Sequence, residues 1–378
     1  MSLWFSGSAV VPALSSEWHL SPSQVSWMAI AVQLGFVAGT LISATLNLPD
    51  IISTRHLFAV SAFLGAALNA SFGLYVHDPA TGILLRFAIG VCLAGVYPPG
   101  MKIMATWFRE RRGMALGVLV GALTLGKATP YLVNALGSAN WRSNVLFVSL
   151  LAAIGGLIVL FFIEDGPHAL PPAKFDVSQI VRVFGNRGVR LASFGYFGHM
   201  WELYAMWIWV PVMIRASLAT PDGAPRLVEL GSFLVIGAGT IGCIVAGLIA
   251  DRVGRTLVTS VAMAISGTCC LVIGFLYGGN PFVLLLVAAI WGATVVADSA
   301  QFSSCVTELG DPQYIGTALT IQMCIGFLLT TVSIELVPKV GDWRYAFMIL
   351  APGPLFGVIS MLRLRGLPEA VKIANGHR

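Results

Sequence analysis

Gly247-Leu248-Ile249-Ala250-Asp251-Arg252-Val253-Gly254-Arg255 is a compact run of charge between two long apolar segments. One acid and two arginines are flanked by glycines in a chain that otherwise carries little charge. A buried core helix has no use for such charge, and an ordinary loop has no need of glycines so closely spaced. The stretch reads as a tight helix–loop–helix turn at a membrane face, with Asp251 and the arginines poised to pair.

The rest of the chain places that turn in a membrane. Of 378 residues, 57% are hydrophobic and only 10% charged, against ~25% charged in soluble domains. Mean hydropathy is +0.85, and apolar stretches recur at the ~20 residues a helix needs to cross ~30 Å of hydrocarbon. The net charge of +5 gives no nucleic-acid face, because the basic residues are scattered between apolar segments. They mark topology instead. Cys92, Cys243, Cys269, Cys270, Cys305 and Cys324 all fall inside apolar segments without metal-ligand spacing, so they read as small packing residues.

Spans are expected at 3–14, 25–46, 57–76, 83–106, 113–135, 143–163, 190–213, 230–250, 256–277, 281–305, 314–336 and 344–362. The first is too short to cross, and no basic segment precedes it as in a signal peptide. Its expected reading is a truncated helix that begins upstream of Met1, with a short tilted or re-entrant segment as the alternative. If the loop holding Asp50 is cytoplasmic, that side carries fourteen Lys and Arg, among them Arg55, Arg109, Arg252 and Arg255, against five on the other. The positive-inside rule then puts both termini in the cytoplasm.

A long Pro- and charge-rich loop near the middle divides the chain into residues 1–163, a 164–189 connection and residues 190–378. Landmarks recur across it at offsets of 201 to 203 residues. Asp50 matches Asp251, Gly113-Met-Ala-Leu116 matches Gly316-Thr-Ala-Leu319, and Trp141-Arg142 matches Trp343-Arg344. This is a six-plus-six duplication with the same topology in both halves.

Such a duplication, together with the charged turn, resembles the major facilitator superfamily over essentially the whole chain. Gly247, Asp251, Arg252, Gly254 and Arg255 are similar to that family's signature loop in its second-half copy. The first-half copy, Leu46-Asn-Leu-Pro-Asp50-Ile-Ile-Ser-Thr-Arg55, keeps the acid and one arginine without the glycines. Arg86-Phe-Ala-Ile-Gly90 resembles the fourth-span Arg-x-x-x-Gly element, with Ile89 where glutamine is frequent. The fifth span lacks the Gly-Pro signature of drug antiporters, and the Asn- and Gly-rich signatures of nitrate carriers are absent. The resemblance implies an all-α polytopic membrane protein of twelve helices (6+6). It also implies that Asp50, Arg55 and the 247–255 cluster latch the cytoplasmic side shut in the outward-facing state. The plain alternative for that cluster is a loop of surface charges worth ~1 kcal/mol or less per pair.

Charges inside spans cost ~2.5–3.5 kcal/mol at mid-helix, so each is a functional candidate. Arg86, Lys127, Glu202 and Asp298 stand out. In the family fold, spans one, four, seven and ten line the central cavity, which implies that Arg86, Glu202 and Asp298 face water. On one reading, Lys127 neutralises Glu202 or Asp298 and Arg86 snorkels to the interface. On the other, Lys127 and Arg86 attract an anion while Glu202 or Asp298 takes up a coupling proton, because burial favours the protonated carboxyl. Gln301 follows Asp298, and Trp201 and Tyr204 flank Glu202. The aromatics Trp201, Tyr204, Trp207 and Trp209 read first as a packing stripe. Tyr97-Pro98-Pro99-Gly100 interrupts the fourth span and is expected to kink it.

No metal set, cofactor loop or paired nucleophile is present, and His199 stands alone inside a span. The expected function is a secondary active transporter working by alternating access, importing a small anionic solute with protons. The alternatives are a proton-driven exporter of an amphiphilic compound and a non-transporting sensor on the same fold. No cofactor is expected beyond a proton gradient. The expected partners are the bilayer and a small-molecule substrate, with no nucleic acid, and the protein is expected to be a monomer. The expected location is the plasma membrane, the inner membrane in a bacterium.

Overall fold

Several helices begin where the sequence supplies a cap. The structure, a computed structural model, describes residues 1–108, 112–137, 140–164, 166–168, 175–218 and 225–378. Twelve long helical units follow one another: α1 Ser2–Trp18, α2 Pro22–Thr45, α3 Thr54–Tyr75, α4 Pro79–Trp107, α5 Arg112–Ala135, α6 Trp141–Phe162, α7 Arg187–Ser217, α8 Pro225–Val253, α9 Arg255–Leu276, α10 Pro281–Leu309, α11 Ile315–Val340 and α12 Trp343–Arg365. Ser21 and Gln24 form a reciprocal capping box at the start of α2. Asp78 accepts from the Thr81 N–H at 2.9 Å to open α4, and that bond holds its carboxyl below the usual range. Asn280 does the same for α10 through the Phe282 N–H at 2.9 Å. Asn140 and Asp342 cap the helices that begin Trp141-Arg142 and Trp343-Arg344, each accepting an arginine N–H at 2.9 Å. The duplication in sequence therefore reappears as duplicated capping.

Among the described residues, ten helices are long and apolar enough to cross a membrane. The other two units are α1 and α7. Of the 31 residues in α7, 22 are buried, so its neighbours shield it and its composition is free to include His199 and Glu202. α1 runs to Trp18 rather than the expected Leu14.

Two helices are broken at corresponding depths. α4 is interrupted at Gly95 and Val96, just before Pro98 and Pro99, because proline removes a donor and clashes with the preceding turn. α10 is interrupted over 295–298, so Asp298 stands at the N-terminal end of its second segment, Ser299–Leu309.

α2 packs on α4, α3 on α6, α7 and α9 on α12, and α8 on α10. Asn69 at the α3–α6 contact is fully buried, donates to the Val145 carbonyl at 3.1 Å and Ser149 Oγ at 2.9 Å, and accepts from Ser6 of α1 at 2.8 Å. The most extensive contact between the first six helices and the rest, among the described residues, is α5 on α8. There a Cβ on Gly117 would lie 2.6 Å from the Cys243 carbonyl, and one on Gly247 2.8 Å from that of Gly113. α2 meets α11 on the other side.

Candidate functional site

A cavity of about 340 Å³ opens between α2 and α4 on one side and α10 and α11 on the other. It reaches the membrane face that carries Arg55, Arg252 and Arg255, here called the basic face, where Asn47, Pro49 and Pro312 line its mouth. Deeper in, Thr40, Tyr97, Met101, Tyr196, Ser303, Ser304, Gln322 and Met323 form its walls. The breaks in α4 and α10 explain part of this lining. Each frees a half-helix whose first turns, at Tyr97 and Ser299, face the cavity. Leu116 and Leu319, equivalent positions of the two repeats, also line it.

The cation on the cavity wall is Lys102. Its Nζ donates to the Pro49 carbonyl at 2.8 Å, in the loop between α2 and α3. Arg86, Lys127, Glu202 and Asp298 do not line the cavity. Lys102 was visible in the sequence as a third cation inside a span, but its depth and orientation were not.

An aromatic layer closes the cavity's inner end. Phe36 of α2 and Phe327 of α11 lie 4.5 Å apart, each one helical turn beyond a lining residue, Thr40 and Met323 respectively. Trp4 and Tyr204 join them. Behind this layer Lys127 is 1% exposed. Its Nζ donates to the Tyr204 hydroxyl at 2.7 Å and stands 4.2 Å from the Trp207 ring centre, 4.3 Å from Tyr204, 5.0 Å from Trp4 and 5.7 Å from Phe5. The expected pairing of Lys127 with Glu202 or Asp298 is therefore replaced by cation–π contacts. The aromatic run of α7 divides accordingly. Tyr204 and Trp207 cage the lysine, whereas Trp201 and Trp209 donate to the Ile349 and Ile334 carbonyls at 3.1 and 2.9 Å.

The two carboxylates have separate environments, and neither faces water as the resemblance implied. Glu202 is 1% exposed and turns away from the cavity. It accepts from Ser266 Oγ at 2.9 Å, Cys270 Sγ at 3.1 Å and Trp291 Nε1 at 2.5 Å, all on α9 and α10. Asp298 lies 2.9 Å from Nδ1 of His199, both about 1% exposed. His199 is thus not alone, and its Nε2 has no protein hydrogen-bond partner among the described residues. The His–Asp pairing was hidden in the sequence by a separation of nearly 100 residues. Arg86 is fully buried rather than water-facing. It donates to the Leu3 and Trp4 carbonyls of α1, at 2.8 Å for Leu3, and to the Met28 carbonyl of α2 at 3.4 Å.

In the charged turn, Gly254 has φ 101°, a left-handed conformation that favours glycine. This reverses the chain so that Arg255 opens α9 turned inward. Arg255 is 3% exposed. It meets Asp251 at 3.1 Å and Glu308 of α10 at 2.9 Å, and donates to Gln301 Oε1 at 2.6 Å. A Cβ on Gly113 would meet Asp251 Oδ1 at 2.5 Å and Arg255 Nη1 at 2.8 Å, so the pair stands against the first turn of α5. An acid there complements the helix N-terminus. Arg252 is exposed and Arg55 half-buried. The side chain of Asp50 and residues 109–111 lie outside the described residues. Gln301, a substrate-binding or proton-coupling candidate beside Asp298, accepts from Arg255 and so joins the arginine network. The cluster is engaged while the cavity still reaches the basic face, which departs from a latch that shuts that face alone. It joins α5 to α8, whereas the mouth opens between α2 and α11.

The chain belongs to the major facilitator superfamily, whose sequence model matches residues 1–334. It is a multi-pass membrane transporter and not an enzyme. An MFS-type transporter of Gibberella moniliformis is 25% identical over 79% of this chain and 70% of its own length. The high affinity nitrate transporter 2.7 of Arabidopsis thaliana is 29% identical over 43% and 35%, respectively. A gallate transporter of Pseudomonas putida is 22% identical over 74% and 69%. The chain thus spans 35% to 70% of the lengths of these relatives.

Proposed function

We propose that this transporter is a secondary active carrier that imports a small organic or inorganic anion by alternating access, coupled to protons. The observation that carries the reading is the cavity between α2, α4, α10 and α11. It is sized for a small solute and lined by hydroxyl and amide groups, with Lys102 on its wall. Nitrate and gallate, named for two relatives, are anions of this size class.

Two six-helix halves, 1–163 and 190–378, rock about the α5–α8 contact, where the glycines permit close backbone approach. The basic face is cytoplasmic by the positive-inside rule, so the cavity is in its inward-facing state and both termini are cytoplasmic. The carrier works as a monomer in the plasma membrane, and proton uptake is assigned to Asp298 with His199. That pair lies behind Tyr196 and Phe302, within one aromatic layer of the cavity.

The apolar share of the lining, including Tyr97, Met101, Phe175, Leu319 and Met323, favours a second reading, export of an amphiphilic compound. One measurement separates them. Protein reconstituted in proteoliposomes is given labelled nitrate, nicotinate, gallate or galacturonate, or a labelled amphiphilic cation, under an inward or outward proton gradient. Accumulation of an anion down an inward proton gradient supports import. Accumulation of an amphiphilic cation against it, with no anion flux, supports export. Ligand binding without flux in either direction overturns both and leaves a sensor.

A further inference from the structure

We propose that the aromatic cage around Lys127 substitutes for the transported anion, so that the empty carrier closes and returns without cargo. The protein then performs net transport rather than obligatory exchange. The inference rests on the anion reading above.

An ammonium held out of water must be compensated, and the usual partner is a carboxylate. Among the described residues none lies within ion-pair distance of Lys127. Its compensation comes from ring faces and one phenol oxygen, which stabilise a desolvated cation. Those groups come from both sides of the molecule. Trp4 and Phe5 are on α1 and Lys127 itself on α5, while Tyr204 and Trp207 are on α7. The cage therefore exists only while α1 and α5 stay against α7.

Opening toward the other face separates these helices and strips the rings from the ammonium. An anion can then take their place. In the present state the layer of Phe36 and Phe327, joined by Trp4 and Tyr204 of the cage itself, stands between the ammonium and the cavity. The rings and an anion are alternative partners for one buried charge, and they cannot both surround it. A carrier whose sole compensating partner is its cargo cannot close when empty, and it exchanges one anion for another. Here the compensating groups are part of the chain.

The test uses the full-length protein in proteoliposomes, with or without unlabelled anion inside. Uptake of labelled nitrate, gallate and galacturonate is followed in separate arms. The expected result is that an anion carried in exchange also enters vesicles holding none, at a rate within about threefold, because the cage satisfies the empty site. Trp207→Leu and Tyr204→Phe then slow net uptake about tenfold and leave exchange within about twofold. Tyr204→Phe keeps the ring's shape, so it reports even where Trp207→Leu fails to fold. Exchange without net uptake in the unaltered protein overturns the proposal. So does equal slowing of both modes, or no effect on net uptake, in Tyr204→Phe. Absence of flux for all three anions in both modes overturns the anion reading itself, and the cage proposal with it.

Discussion

Asp298 on α10 stands 2.9 Å from Nδ1 of His199 on α7, and the two side chains are sealed from solvent together. Asp298 also begins the half-helix Ser299–Leu309, whose N-terminal dipole favours a carboxylate. In the proposed coupling, a proton carried by this pair changes the charge across the α7–α10 contact. Asp298→Asn keeps the shape and removes the exchangeable charge. The expected outcome is loss of at least about tenfold in uptake driven by a proton gradient, while exchange at equal pH stays within about threefold. An unchanged gradient response places coupling elsewhere.

Glu202 provides the contrast. Three donors converge on it from α9 and α10, and the role expected of it is structural. Glu202→Gln replaces an acceptor oxygen by an amide donor facing Ser266, Cys270 or Trp291. A loss of about 1–3 kcal/mol in stability is expected from the mismatched donors, read as a lower melting temperature in detergent. The dependence of transport on the proton gradient should not change. If that dependence disappears with stability intact, Glu202 and not Asp298 carries the proton.

Arg255 gathers Asp251, Gln301 and Glu308 into one network. Arg255→Ala removes the cation shared by two carboxylates that are each about a quarter exposed, and a loss of about 1–3 kcal/mol is expected from the broken charge-assisted bonds. Arg255→Lys should recover little, because a single ammonium cannot reproduce the guanidinium's fork of donors. Transport by the lysine variant comparable to that of the unaltered protein refutes this account.

Arg86 docks α1 through the Leu3 and Trp4 carbonyls. Its expected role is that of a fastener rather than an anion receptor. Arg86→Met should lower thermal stability by about 2 kcal/mol through unpaired carbonyls, with the KM for the anion unchanged. A raised KM at unchanged melting temperature restores the substrate role.

Gly117→Ala directs a methyl at the Cys243 carbonyl, 2.6 Å away. Overpacking of about 1–3 kcal/mol is expected at the α5–α8 contact. Because that contact is the proposed pivot, maximal rate should fall more than affinity. Unchanged transport in this variant removes α5–α8 from the pivot.

Much of the architecture was legible because it is written in local chemistry. Apolar runs of bilayer length, the Trp141-Arg142 and Trp343-Arg344 landmarks that open α6 and α12, and the proline break in α4 each act within a few residues. The repeat register identified equivalent positions, and Leu116 and Leu319 indeed share one cavity. Intramembrane charge likewise singled out Lys127, Glu202, Arg86 and Asp298, since each is costly wherever it lies.

The partners of those charges were decided only by tertiary structure. The sequence determined the succession of apolar spans, their division into two repeats, and that Gly247 to Arg255 forms a charged turn. It did not contain the rotation of each helix about its axis. That rotation sets Lys127 against aromatic faces, turns Glu202 toward α9 and leaves Lys102 on the cavity wall. Helices far apart in sequence acquire their facing by packing side chains from many segments at once, and no local pattern encodes the result.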